Sequence, residues 1–151
     1  MHRKSSLLGH KVLFVDVGNS TLSPMAEAFA RAFGIEADSA GTMPAGEFSH
    51  GAVVAMQQHG LSLPDGRPRR IDFLRLADYE RIIALDAGVA ATSPDLHVHE
   101  SWDLDDPVNL DFAAYRRACD ALATRVKALA QEIREWSEPA ESEELPAFAG
   151  Y

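Results

Sequence analysis

Residues 16–23, Asp-Val-Gly-Asn-Ser-Thr-Leu-Ser, put a carboxylate, an amide and three hydroxyls between a short apolar run and a stretch of helical periodicity. Val12 to Val15 has the length and β-branched content of a buried strand, and Ser23-Pro24 opens a helix. In such a unit the loop amides and the helix N-terminus converge on one point, so the backbone alone makes an anion site. Gly18, Asn19, Ser23 and Pro24 are the residue types that shape such a loop and start its helix. Asp16 brings its own negative charge into that ring of amides, and its carboxylate is suited to fill the nest.

Other candidate groups are more scattered. Asp106-Pro107 supplies a second carboxylate, although the pair is also a common turn starter. His97 and His99 alternate along a predicted strand near Asp103, Asp105 and Asp106, but no third well-spaced ligand accompanies them, and we expect no metal and no cofactor. His59 reads as a residue of a helix C-terminus. The single Cys119 falls inside an apolar helical stripe and reads as a small core residue, not a nucleophile.

Positioning these groups requires an alternation of strands and helices. Met25, Phe29 and Phe33 give the first helix one apolar face, closed by Gly34. Glu36–Gly41 reads as a second strand, followed by a loop over 42–47 beside the mouth of the site. Phe48–His59 reads as a helix ended by Gly60, Arg81–Leu85 as a buried third strand, 86–93 as a short helix or turn, and Leu96–Trp102 as an edge strand. Asp111–Trp136 is a long helix with a stripe of Phe112, Tyr115, Cys119, Leu122, Val126, Leu129, Ile133 and Trp136.

Two families write similar loops. Asp16–Thr21 resembles the first phosphate loop of the actin and hexokinase-like kinases, which need two large lobes and a hairpin where this chain gives a helix. Val12–Glu27 resembles the low-molecular-weight protein tyrosine phosphatases. Ser39-Ala40-Gly41-Thr42, His59-Gly60-Leu61, Arg69-Arg70-Ile71 and Asp106-Pro107 then follow in that family's order over about residues 10–136. The resemblance implies a three-layer α/β domain with a four-stranded parallel sheet, order 2-1-3-4. It puts Asp16 at the nucleophilic Cys, Thr21 at the second loop Cys, Leu22 at the phosphate-binding Arg and Asp106 at the general acid.

With nucleophile and guanidinium both replaced, the resemblance predicts a catalytically inactive scaffold, a pseudophosphatase. It would bind or regulate a protein partner through the vestigial loop Asp16, Val17, Gly18, Asn19, Ser20, Thr21, Leu22 and Ser23. The alternative is a weak phosphomonoester hydrolase using Asp16 and Asp106. Val108, Asn109 and Leu110 stand where the family often has an aromatic pair, and a cysteine relay of the arsenate reductase kind lacks the additional cysteines it needs.

Composition bounds these readings. The chain has 151 residues, 46% hydrophobic, which suffices for one core. A net charge of −9 disfavours nucleic acid and anionic membranes as partners and leaves oligomerisation open. With one Cys and no long apolar stretch, the expected location is cytoplasmic. The expected organisation is a flexible leader at 1–9, the domain at 10–136 and an acidic, disordered tail at 137–151.

Overall fold

The computed structural model describes residues 10–137; the expected leader and residues 138–151 of the expected tail lie outside the described residues. β1 (Val12–Asp16) is buried throughout, as its apolar run demands of a central parallel strand. The chain continues through α1 (Leu22–Ala32), β2 (Ala37–Gly41), α2 (His50–Gln58), β3 (Arg81–Ala84), α3 (Gly88–Thr92), β4 (Glu100–Ser101) and α4 (Phe112–Ser137). β1 pairs in parallel with β2 and β3, and β3 with β4, so the order is β2-β1-β3-β4, as the resemblance implies.

Alternate strand residues face opposite sides of the sheet, and this divides the core in two. Val12, Phe14 and Ile83 pack with Met25, Phe29, Ala52, Met56, Leu122, Val126 and Ile133 under α1, α2 and α4. Leu13, Val15, Ile82 and Ala84 pack with Val89 of α3, Tyr79 and Ile71, which opens the first of two 3₁₀ turns, Ile71–Phe73 and Leu76–Asp78. Gly34 (φ 89°) and Gly60 (φ 73°) follow α1 and α2 in the left-handed region. At the outer side of β2, Arg31 Nε donates to the Ala37 carbonyl at 2.9 Å, and Gly41 bridges to Arg70.

Two expectations need correction. The expected edge strand Leu96–Trp102 pairs only at Glu100–Ser101. His99 N–H donates to the Ile82 carbonyl at 2.9 Å, but Ile82 N–H donates to His99 Nδ1 at 3.0 Å, so an imidazole takes a place that a backbone carbonyl would hold in a ladder. The α4 stripe is buried from Cys119 to Ile133, whereas Phe112 is 37% and Trp136 64% exposed. A helix of 26 residues is about 39 Å long and outruns a sheet of short strands at both ends. Among the described residues no helix is long and apolar enough to cross a membrane.

Candidate functional site

Asp16 ends the central strand, at the carboxyl edge where open parallel sheets place their ligands. The chain turns back through Asn19, in the left-handed region at φ 49°, which helps curl the loop around the carboxylate. Asp16 Oδ1 accepts from Asn19 N–H at 2.7 Å and from Ser23 Oγ at 2.8 Å, and Oδ2 accepts from Ser23 N–H at 2.8 Å. Thr21, at the N-cap of α1, makes no side-chain cap bond. Asp16 therefore caps the helix from the neighbouring strand, and its charge lies at the positive end of the helix dipole. Burial nevertheless pushes its pKa up to about 6, against the Ser23 and Asn19 donors and with a further push from Asp86.

Asn19 is the hub behind the carboxylate. Its Nδ2 donates to Ser23 Oγ at 2.8 Å and Ser39 Oγ at 2.9 Å, and its Oδ1 accepts Arg69 N–H at 2.8 Å. Ser39 Oγ passes the chain on to Glu27 Oε1 at 2.7 Å. Burial raises the Glu27 pKa against the opposing Ser39 hydroxyl and Arg31 charge. Burial also works to raise Asp38, but the Tyr79 hydroxyl at 2.6 Å with Lys11, Arg69 and Arg31 holds it below the usual carboxylate range.

The loop is pinned from outside as well. Thr42, Met43 and Ala45 donate to the carbonyls of Asp16, Val17 and Gly18 at 3.1, 2.8 and 2.9 Å, so the 42–47 segment does border the site. Thr21 Oγ1 meets Ser49 Oγ at 2.9 Å, and Ser49 N–H donates to the Ser20 carbonyl at 2.9 Å. A Cβ on Gly41 would stand 2.6 Å from the Val17 carbonyl oxygen, and one on Gly88 2.7 Å from Val17 Cγ2 and 3.2 Å from Asp86 Oδ1. These two glycines let β2 and α3 press against the loop.

Leu22, where the resemblance calls for a guanidinium, is 1% exposed and belongs to the larger core. It also floors a cleft of about 400 Å³ lined further by Leu104, Asp106, Leu110, Arg117 and Ala118. Asp106 is exposed there, and its Oδ1 accepts Val108 N–H at 3.0 Å. Of residues 16–22 only Leu22 lines this cleft. The carboxyl that acts on Asp16 through its charge is Asp86, which the sequence reading missed. Its signal was present: β1 and β3 are neighbouring apolar strands, and an aspartate follows the last apolar residue of each.

Arg117 was missed too. Ala114, Arg117, Ala118 and Ala121 share one face of α4, where small residues open the cleft and the arginine supplies a cation. His97 and His99 meet edge to face with centroids 4.9 Å apart, and among the described residues no group of three or more His, Cys, Asp or Glu is arranged to hold a metal. His59 Nε2 lies 3.1 Å from Asp120 Oδ1 and its ring edges onto Phe29. Cys119 is fully buried, its thiol 3.6 Å from Met56 Sδ, and burial pushes its pKa up to about 11.

Residues 11–138 match the low molecular weight phosphotyrosine protein phosphatase family. An arsenate reductase of Bacillus cereus (strain Q1) is 30% identical over 125 residues, covering 77% of this chain and 90% of its own length. An arsenate reductase structure from Archaeoglobus fulgidus shares 27% identity with a TM-score of 0.69, covering 80% of this chain and 98% of that one. A further structure, of an arsenate reductase in its phosphate binding state, shares 26% identity with a TM-score of 0.72, covering 82% and 98%. These likenesses correct the expectation of an inactive pseudophosphatase. Relatives named for catalysis match over nearly their full length.

Proposed function

This chain belongs to the low molecular weight phosphotyrosine protein phosphatase family, and on that premise we propose that it hydrolyses phosphomonoesters with the Asp16 carboxylate as nucleophile. One observation carries the reading: Asp16 ends the central strand inside the loop, held by three donors yet with a proton affinity poised near neutrality. Asp16 attacks phosphorus and forms an acyl phosphate, while Asp106 protonates the departing alkoxide or phenoxide. Water then cleaves the acyl phosphate, passing its proton to Asp106 and releasing inorganic phosphate.

Leu22 provides no bidentate contact, so the phosphoryl oxygens rely on loop amides and on Arg117 across the cleft. A low turnover follows, since charge-assisted contacts are each worth about 1.5–3 kcal/mol. Leu104 and Leu110 give the leaving group an apolar wall. The buried Cys119 and its raised pKa favour this carboxylate chemistry over a thiol relay, and a lone reduced cysteine is consistent with a cytoplasmic setting.

The test is steady-state hydrolysis of p-nitrophenyl phosphate by wild type, Asp16→Asn and Asp106→Asn, with hydroxylamine trapping of the acyl phosphate. Turnover abolished in Asp16→Asn together with a trapped hydroxamate supports the reading. Full turnover in Asp16→Asn, or none in wild type between pH 5 and 8, removes it.

A further inference from the structure

We propose that residues 70–76 form a docking surface for the acidic segment 138–144 of this same chain, with the ring of Phe148 beyond it. The inference is independent of the hydrolase reading, since neither the surface nor its test involves Asp16 or Asp106.

Two consecutive 3₁₀ turns build the surface, anchored in the smaller core by Ile71 and Tyr79. Between these anchors Phe73 is 80% and Leu76 37% exposed, which leaves an aromatic ring and an aliphatic neighbour uncovered. The charge beside them is out of character with the chain. In a protein of net charge −9, Arg67, Arg69, Arg70 and Arg75 are four of the 14 basic residues, all within nine positions. Asp72 and Asp78 are the acids paired there, but Arg70–Asp72 at 3.4 Å and Arg75–Asp78 at 3.9 Å are long contacts between exposed groups. Such pairs are worth little and exchange readily for other carboxylates.

The complementary chemistry is in the same sequence. Residues 138–151, outside the described residues, contain Glu138, Glu141, Glu143 and Glu144, no lysine or arginine, and then Leu145, Phe148 and Tyr151. Carboxylates followed by an aromatic ring match guanidinium groups set beside one.

The end of α4 is close enough. Arg81, at the start of β3, lies with its guanidinium 5.9 Å from the Trp136 ring centroid, and its Nη1 donates to Glu132 at 2.7 Å. Arg75 stands only six residues before Arg81, at most about 20 Å of chain, and the Leu76–Asp78 turn shortens that path. The 71–78 segment packs on the face of the sheet opposite α4, so the acidic segment must round the amino edge where Trp136 sits. From residue 137 to Phe148 the chain extends to about 36–40 Å, which covers that course.

The experiment places a nitroxide on Ser142→Cys in the full chain and reads the broadening of amide NMR signals; Cys119 is buried and stays unlabelled. At low salt, broadening at residues 70–76 should stand well above that in α2, on the opposite face of the sheet. Raising salt to about 0.5 M should at least halve it, because exposed charges are then screened within a few ångströms. Arg70→Glu with Arg75→Glu should abolish it, and Phe73→Ala should weaken it about twofold.

Broadening no greater at 70–76 than in α2 overturns the proposal. Broadening that survives the double charge reversal in a folded variant overturns it equally. If that variant does not fold, the salt series decides, and a wild-type effect indifferent to salt has the same meaning. Mixing the nitroxide-bearing chain with isotope-labelled chain that carries no nitroxide identifies the source. The full effect in that mixture makes the occupant a second copy and removes the assignment to the same chain; its absence there supports it.

Discussion

Residues 16–23 and residues 105–111 lie at the same carboxyl edge of the sheet, and they are held in opposite ways. In the first segment Asp16, Asn19 and Ser23 are buried and bonded to one another and onward to Ser39 and Glu27. In the second, among the described residues, Asp106 bonds only to the amide two residues on, and Leu110 N–H to the Pro107 carbonyl at 2.9 Å. Asp111 then caps α4 through Ala114 N–H at 3.1 Å. On the reading proposed above, the receiving end of the site is fixed before substrate arrives, while the proton-donating end is a short turn with few bonds of its own. Preorganisation is concentrated where charge must be placed accurately.

The firmest way to break this contrast is Asn19→Ala. It removes three side-chain hydrogen bonds inside the protein and sets an alanine at φ 49°, and we expect a loss of roughly 3–4 kcal/mol in denaturant unfolding. A loss near zero would mean that the loop does not depend on its hub.

Next comes pH. The fold raises the proton affinity of Asp16 from 3.8 to about 6, so this group favours the folded state fully below about pH 4 and that contribution is lost as pH rises through 6. Ionising it between pH 4 and 7 should cost at most about 3 kcal/mol. Asp38 works the other way, because its lowered pKa gives stability that disappears on acidification. The quantity to measure is thus the difference between wild-type and Asp16→Asn unfolding free energies across that range.

Gly88→Ala should cost about 1–2 kcal/mol through the clash with Val17, and should lower turnover by displacing the loop. Smallest in stability is Asp106→Asn, expected within about 0.5 kcal/mol of wild type because the group is exposed. Its turnover should still fall tenfold or more. A large stability loss there would show that the 105–111 turn is as firmly built in as the loop.

Much of the fixed half is legible in the sequence because its determinants are local. Apolar strand, loop and Ser23-Pro24 helix start follow one another without spare residues, and Gly34 and Gly60 mark helix ends by the backbone conformation that they alone tolerate easily. The long helix is legible from its period, although period alone cannot say where the sheet beneath it stops, and so Phe112 and Trp136 are exposed. Leu96–Trp102 alternates like a strand, but alternation does not reveal that His99 will offer its ring to Ile82. Asp86 and Arg117 escape a linear reading because only the packing of β3 beside β1 brings the charge of the first to bear on Asp16, and only that of α4 over Leu22 sets the second in the cleft.

The sheet's margins have a consequence outside catalysis. A parallel sheet ordinarily exposes two rows of unpaired amides and carbonyls that another chain can extend, the route into fibrils and disordered aggregates. Here one margin is β4, only two residues long, and the other is β2, with the Ala37 carbonyl taken by Arg31 and Gly41 bridged to Arg70. Neither offers a template long enough to nucleate strand addition, so a concentrated solution of the folded chain should resist templated polymerisation. Arg31→Ala, which uncovers the β2 margin, is the substitution to follow by thioflavin fluorescence.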